Sequence, residues 1–284
     1  MIVFAPANFK DKINRLIKVV LMEKISTKNL RNDIPENFSD SFNRYYDIFE
    51  DSSITDEIND DDIKDLKEIL SRKLFICVNN SNKGGILVLG ANPSYDGKSN
   101  DNFCFSLNEL LEKSTQKKGF GEKRKSPYWT HIRNILGEEY ASKANYLDVF
   151  PLKKKPLDKF KRLLDRNVLF QKAILMETHK RIVELHPKII IVRYKRIQHL
   201  FGTDSSHPWL GYNIDKERTV ACVVKNDLNL DVRVIPEELL KGDHVILKKN
   251  ELKGTYLIFD ENCRPGQLNH DNLKKFIESK QIKL

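Results

Sequence analysis

Residues 85–99, GILVLGANPSYDGKS, place a polar loop directly after a short apolar run. The loop ends in Gly97, Lys98 and Ser99, the residue types that end a nucleotide-binding P-loop. That motif also needs a glycine five positions before Gly97, where this chain has Asn92 followed by Pro93. A proline has no N–H group to donate to a phosphate. The spacing therefore argues against a P-loop, and it leaves the Asn-Pro pair as the group that could do chemistry.

Two later loops also place polar side chains at or just beyond the end of an apolar run. Residues 148–152, Asp-Val-Phe-Pro-Leu, and residues 264–266, Arg-Pro-Gly, lie at or just beyond the ends of two other apolar runs. The carboxylate of Asp148 can accept hydrogen bonds, and the guanidinium of Arg264 can stabilise a developing anion or bind a phosphate. Together with Asn92, these side chains form one candidate site if the elements before them end at the same place.

The elements that must position these loops are four apolar runs that read as strands buried on both faces. Helical patterns separate the runs, and an alternation of strands and helices predicts a parallel sheet with helices on both faces. The predicted fold is therefore three-layer α/β, with a central four-stranded, mainly parallel sheet. Ligands of such sheets bind at the carboxyl ends of the strands. The runs are Ile86–Leu89, Tyr146–Phe150, Lys188–Val192 and Tyr256–Phe259, and weaker β patterns between Thr219 and Leu247 predict an edge meander.

The N-terminal quarter of the chain differs from the rest. Apolar residues recur at helical spacing between Ile13 and Leu21 and again between Ile63 and Leu70, and no strand signal of comparable strength is present there. We predict a helical extension over residues 1–74 and an α/β domain over residues 75–284.

The loops carry a resemblance to a known family. Gly90-Ala91-Asn92-Pro93-Ser94 resembles the Gly-x-Asn-Pro-Gly/Ser motif of the uracil-DNA glycosylase superfamily, particularly of its mismatch-specific and single-strand-selective branches. Residues 148–152 resemble the Asn-x-Cys-Pro-Leu loop after the second core strand of the single-strand-selective branch. Residues 187–192, and the helix that ends in Leu200-Phe201-Gly202, are similar to the third strand and following helix of the superfamily. The resemblance covers Ile86–Leu284.

The resemblance implies a reaction and a set of roles. In this superfamily a base is turned out of the nucleic acid, its glycosidic bond breaks, and water attacks the sugar. Asn92 would position that water, and Arg264 would contact the departing base. No cofactor is expected. The residues implied to bind the substrate are Gly90, Ala91, Pro93, Ser94, Phe103, Phe105, Asp148 and Phe150, with Phe103 or Phe105 stacking on the base unless they belong to the core.

Two of these residues depart from the family pattern. Asp148 stands where the family has an Asn that reads the pyrimidine edge, and an ionised Asp only accepts hydrogen bonds. We therefore hypothesise a base edge with two adjacent donors, as in guanine, although Asp148 could instead cap its strand or pair with Lys153. Arg264 stands where the family has a His, so it could contact a phosphate rather than the base. If both departures abolish catalysis, a nucleic-acid-binding protein with an inactive pocket remains.

The charge distribution favours a nucleic-acid partner. The chain has a net charge of +9, yet residues 33–68 hold 13 acidic and 3 basic residues, so the remainder is strongly basic. Basic clusters after candidate strands are typical of surfaces that contact a phosphate backbone, although they are equally typical of solvated loops. The predicted contacts, with DNA more than with RNA, are Lys98, Lys123, Arg124, Lys125, Lys153, Lys154 and Lys155.

Other classes of protein receive less support. The four cysteines are widely spaced with no Cys-x-x-Cys pair, and the seven histidines include no zinc-binding motif, so no metal site is predicted. Neither a membrane span nor a signal peptide is evident, which predicts a cytoplasmic protein without a membrane partner. We also expect a monomer. Three functions stay open: an N-glycosidase, a non-catalytic nucleic-acid-binding protein, and a nucleotide or small-molecule enzyme.

Overall fold

The computed structural model describes residues 31, 39–55, 57–71, 74, 76–77, 83–91, 103–104, 107, 111, 127–153, 157–193, 195–201, 211–212, 214, 223–239, 247–260 and 268–284. The chain divides into two compact units. The first comprises Met1–Leu74, Ser94–Asn100 and Leu152–Ile174, and the second comprises Phe75–Pro93, Asp101–Pro151 and Leu175–Leu284. The predicted domain boundary after residue 74 stays a prediction.

The first unit is helical in its described part. Its helices are α1 (Ser39–Glu50), α2 (Ser52–Thr55), α3 (Asp60–Ser71), α5 (Leu157–Arg166) and the first turns of α6 (Val168–Leu185). The apolar spacing that predicted a helix near Ile63 is confirmed, because Ile63, Leu66 and Leu70 are buried on one side of α3. Buried Asp62 accepts hydrogen bonds from Arg166 Nε (3.1 Å) and Asn167 Nδ2 (2.8 Å), which ties α3 to the α5–α6 junction.

The second unit contains a five-stranded sheet with the strand order β4-β2-β5-β7-β6. The first four of these strands run parallel, and β6 pairs antiparallel with β7 at the edge. This confirms the predicted α/β class and the mainly parallel sheet, and corrects the predicted strand number from four to five. The strands are β2 (Ile86–Gly90), β4 (Ala144–Asp148), β5 (Ile189–Arg193), β6 (Asp231–Val234) and β7 (Tyr256–Asp260), while β1 (Ile76–Cys77) and β3 (Phe103–Cys104) form a separate parallel pair.

Helices cover both faces of this sheet. Alternate strand residues such as Val88, Ile191 and Ile258 pack with α4 (Pro127–Ala141) and α8 (His270–Ser279) in one core cluster. On the other face, Leu89 lies with the second half of α6 and with Phe201, which follows the short helix α7 (Lys195–Gln198). The β4, β2, β5 and β7 strands are apolar on both faces because both faces are covered.

Helix α4 is interrupted at Gly137, which has φ 59° and ψ −172°. A Cβ atom at this position would lie 2.6 Å from Nδ1 of His270, the first residue of α8. The His270 Nδ1–H donates to the carbonyl of Leu136 at 3.0 Å, so the imidazole occupies the space beside the glycine. Only a glycine combines this positive φ with so close a neighbour.

Candidate functional site

The carboxyl ends of the four parallel strands bring one row of residues together. Gly90 pairs in register with Asp148, and Arg193 pairs with Asp260. The pair Leu89–Val192 aligns β2 with β5, so the two halves of the row are continuous. Adjacent members of such a row are about 4.8 Å apart. Side chains alternate between the faces of a strand, so all four residues lie on the face that α4 and α8 cover.

The first two loops leave the sheet side by side. The N–H of Val149 donates to the carbonyl of Gly90, and the N–H of Phe150 donates to the carbonyl of Ala91, both at 3.0 Å. The β2–β4 pairing therefore continues past the last strand residues into both loops. The segments that begin Gly90-Ala91 and Asp148-Val149 start from adjacent, backbone-bonded positions.

Asp148 is held beside Gly90 by Tyr146, whose hydroxyl also contacts Tyr128. The Tyr146 hydroxyl donates to Asp148 Oδ1 at 2.9 Å, and the Tyr128 and Tyr146 hydroxyls are 3.1 Å apart. A Cβ atom on Gly90 would clash with the Tyr146 hydroxyl and with Asp148 Oδ1. Trp129 packs edge-on against both tyrosines, with ring centroids 4.9 Å away in each case. The glycine is thus required by the close approach of the Tyr146–Asp148 pair.

Burial changes the charge state expected for Asp148. Its side chain is largely shielded from water, and this desolvation raises the pKa of the carboxyl to about 7, although the Tyr146 hydrogen bond opposes the rise. Burial and the neighbouring carboxyl raise the pKa of Tyr146 well above its usual value, so its hydroxyl keeps its proton. Near neutral pH the acid and carboxylate forms of Asp148 therefore coexist. Asp148 acts only as a hydrogen-bond acceptor, as the sequence hypothesis requires, in its carboxylate form.

The other half of the row carries a second polar group of side chains. Arg193 Nε lies 3.4 Å from Asp260 Oδ2, and its guanidinium stacks over the Tyr128 ring, 4.7 Å from the centroid. His131, on α4, places Nε2 at 3.1 Å from the same Asp260 oxygen. A continuous chain of contacts therefore runs from His131 through Asp260, Arg193, Tyr128 and Tyr146 to Asp148.

The structure describes only part of the predicted site. Ala91 and Phe150 are buried beside Gly90 and Asp148, and Phe103 lies in β3, paired with Ile76. Lys153 is 3% exposed, which corrects its placement on an exposed basic surface, because a side chain so buried does not meet a phosphate backbone. The remaining predicted site residues lie outside the described residues: Asn92, Pro93, Ser94, Lys98, Phe105, Lys123, Arg124, Lys125, Lys154, Lys155 and Arg264.

Sequence reasoning missed Arg193 and Asp260, and it did not connect His131 with either of them. A signal was present: Arg193 and Asp260 are the first polar residues after the apolar runs of β5 and β7. Aligning the carboxyl ends of the predicted strands would have placed both beside Asp148. The contact of His131 with Asp260 had no such signal, because it joins residues 129 positions apart.

Comparisons with known proteins and a search for metal-binding side chains add little to what this site could bind. No protein-family model and no curated protein matches this chain. Among the described residues, no group of three or more His, Cys, Asp and Glu side chains is arranged to hold a metal ion. No helix in the described part of the chain is long and apolar enough to cross a membrane. The predicted cytoplasmic location and monomeric state stay predictions.

Proposed function

We propose that this protein binds nucleic acid and hydrolyses the N-glycosidic bond of a base turned out of the strand, on a uracil-DNA glycosylase-like fold. The observation that carries the proposal is the backbone pairing of the two loops, through Val149 to Gly90 and Phe150 to Ala91. These are the loops whose sequences resemble the superfamily's first two motifs. Their adjacency at the carboxyl edge, where ligands of parallel sheets bind, is what a shared base pocket requires.

In this proposal the chain acts mainly by holding its substrate in position. The bond between the sugar carbon and the base nitrogen breaks with its electron pair going to the base, and water adds to the sugar carbon. Asn92 orients that water through its amide, which offers both an acceptor and a donor. Arg264 stabilises the departing base or the adjacent phosphate. The basic residues of positions 123–125 hold the nucleic-acid backbone.

The protonation of Asp148 bears on which base is accepted. Its carboxylate form only accepts hydrogen bonds and suits the adjacent donors of guanine. Its acid form offers one donor and one acceptor, as the asparagine of the family does, and suits uracil. Because burial raises the pKa of Asp148 to about 7, we expect a guanine-like preference above this pH and a uracil-like preference below it.

Base release from labelled single-stranded oligonucleotides tests the proposal. Each oligonucleotide carries one test base, and release is measured at pH 6 and pH 8. We expect Asn92→Ala to lower the rate by about 100-fold or more. Asn100→Ala, an asparagine further along the same chain segment, is the matched control and should retain the rate. Release of no base by the wild type, or an unchanged rate in Asn92→Ala, would refute the glycosidase.

The salt dependence of oligonucleotide affinity separates the alternatives. Neutralised phosphates make affinity fall with salt, with a slope of about −0.7 per contact on single strands. Replacing Lys123, Arg124 and Lys125 together by Ala should therefore reduce the slope by about 2. The control replaces Lys188, Lys253 and Lys283 by Ala. These residues line a groove at the amino ends of β5 and β7. Salt-dependent binding without base release would indicate a non-catalytic nucleic-acid-binding protein, and absence of binding would indicate a small-molecule enzyme.

A further inference from the structure

His131 of α4 forms a group with the two residues in the second half of the row, Arg193 and Asp260. Its Nε2 lies 3.1 Å from Asp260 Oδ2, and the Nε of Arg193 lies 3.4 Å from the same oxygen. The side chains of Arg193 and Asp260 are 3% and 7% exposed, whereas that of His131 is 18% exposed. Of these three side chains, the imidazole is the one that retains appreciable contact with solvent.

The contact with Asp260 determines the tautomer of His131. A carboxylate has only acceptor oxygens, so the imidazole nitrogen that faces it must carry a proton. Nε2 of His131 therefore bears the hydrogen, and in the neutral ring Nδ1 holds the lone pair. A carboxylate that holds an imidazole in one tautomer, with the other ring nitrogen left to accept a proton, is an arrangement found for general bases. The Nε of Arg193 contacts the same carboxylate oxygen of Asp260.

We propose that His131 is the proton acceptor of this site, with Asp260 as its positioning residue. The proposal deepens the proposed glycosidase function and rests on it. As the bond from sugar carbon to base nitrogen breaks, the electron pair leaves with the base, and a lone pair of water forms the new carbon–oxygen bond. One proton of that water passes to Nδ1 of His131, and a proton from solvent neutralises the departing base. His131 then returns its proton to solvent.

A cation and a carboxylate, Arg193 and Asp260, are buried together at this end of β5 and β7. Asp260 is the last residue of β7, and the sequence after it leads to Arg264 within four residues. His131 lies near the beginning of α4, four residues after Pro127. The sheet and the helix thus converge on the carboxylate, and the strand end fixes where the imidazole can lie.

A conservative variant separates catalysis from structural support. In His131→Gln the amide nitrogen can replace Nε2 and donate to Asp260, but the side chain cannot accept a proton at neutral pH. We expect kcat for base release to fall by about 100-fold to 10,000-fold, with KM and the unfolding midpoint in urea nearly unchanged. His186→Gln, at an exposed histidine shortly before β5, is the control and should keep kcat. An unchanged kcat in His131→Gln would overturn the proposal.

A second measurement decides the role of His131 even if no base is released. Diethyl pyrocarbonate acylates an unprotonated imidazole nitrogen, and peptide mass spectrometry locates the modified histidine. We expect His131 to react in the free protein and to be protected by a single-stranded oligonucleotide, and nitrogen NMR to show the hydrogen on Nε2. Absence of acylation, absence of protection, or a hydrogen on Nδ1 would overturn the proposal. Absence of base release together with protection of His131 would instead refute only the glycosidase.

Discussion

The two ends of the parallel strands differ in what they bury on the face covered by α4 and α8. At the amino ends this face presents Ile86, Ala144, Ile189 and Tyr256, which pack in the apolar core, and the nearby Lys188 and Lys253 are exposed. At the carboxyl ends the same face presents Gly90, Asp148, Arg193 and Asp260, all buried. Charged side chains near the amino ends of the strands are thus exposed to water, whereas those at the carboxyl ends on this face are buried.

The difference distinguishes the carboxyl ends of the strands as the candidate site. Taking a charged group out of water costs several kcal/mol, and a pair of such groups often contributes less than apolar residues of the same volume. The amino edge shows that this sheet can be completed with apolar side chains. On the face that α4 and α8 cover, the buried charged side chains of the four parallel strands, Asp148, Arg193 and Asp260, all lie at the carboxyl ends. Such a concentration is a sign of a candidate functional site, because shifted pKa values concentrate at functional sites.

Replacing Arg193 should give the largest difference between the two edges. Arg193→Met keeps much of the apolar volume but removes the cation that contacts buried Asp260, so we expect a loss of about 3–5 kcal/mol in the free energy of unfolding. Ile189→Val, on the same strand and face at the amino edge, should cost about 0.5–1.5 kcal/mol. Urea denaturation measures both. Equal losses would show that the carboxyl edge is an ordinary part of the core.

Replacing Asp148 should stabilise the protein in a pH-dependent way. The folded state binds the Asp148 proton more tightly than the unfolded chain, because burial raises the pKa of this carboxyl to about 7. The contribution of the Asp148 carboxyl to the free energy of unfolding is therefore fully present below about pH 4, and it is lost as the pH rises through about 7. Asp148→Asn retains an oxygen for the Tyr146 hydroxyl, and we expect it to gain roughly 2–4 kcal/mol at pH 8. Thermal unfolding at pH 5 and pH 8 measures the gain, and a gain of the same size at both values would contradict it.

Two glycines near the ends of β2 offer the smallest contrast. Gly90→Ala would drive a methyl group into the Tyr146 hydroxyl and Asp148 Oδ1, and we expect a loss of about 1–3 kcal/mol together with a changed pKa of Asp148. Gly84→Ala places its methyl in ordinary contact with Lys188 and suffers only from the positive φ of 75°, at about 1 kcal/mol. Carbon NMR titration of the Asp148 carboxyl distinguishes them. An unaltered titration in Gly90→Ala would show that the clash is relieved elsewhere.

The sequence predicts the frame of this molecule better than its site. The strands β2, β4, β5 and β7 were predictable because both faces of each are buried, which leaves continuous apolar runs in the sequence. The position of the edge strand β6 was predicted only approximately, since an edge strand is shorter and its sequence pattern is weaker. Asp148 was found because it follows an apolar run within a recognisable loop. These are local properties of the chain.

The contacts that define the site are not local. Tyr128 and His131 come from α4, yet they contact Tyr146 and Asp260 on strands 18 and 129 residues away. Arg193 lies one residue beyond the predicted strand Lys188–Val192, whereas the observed strand includes it. Its burial follows from the neighbouring Asp260 and the Tyr128 ring, which only the strand register and helix packing bring near. The shifted pKa of Asp148 likewise depends on burial that no short pattern encodes.

The interruption of α4 at Gly137 gives the site a remote point of control. The helix before Gly137 carries Tyr128 and His131, and the turns after it, together with His270, are tied to α8. A residue with a non-helical backbone resets the angular phase between these two parts. Substituting Gly137 would force either the His270 ring or the helix axis to move. If the helix axis moves, the turns that carry Tyr128 and His131 rotate against the sheet, and the position of the His131 imidazole then depends on a residue six positions further along the chain.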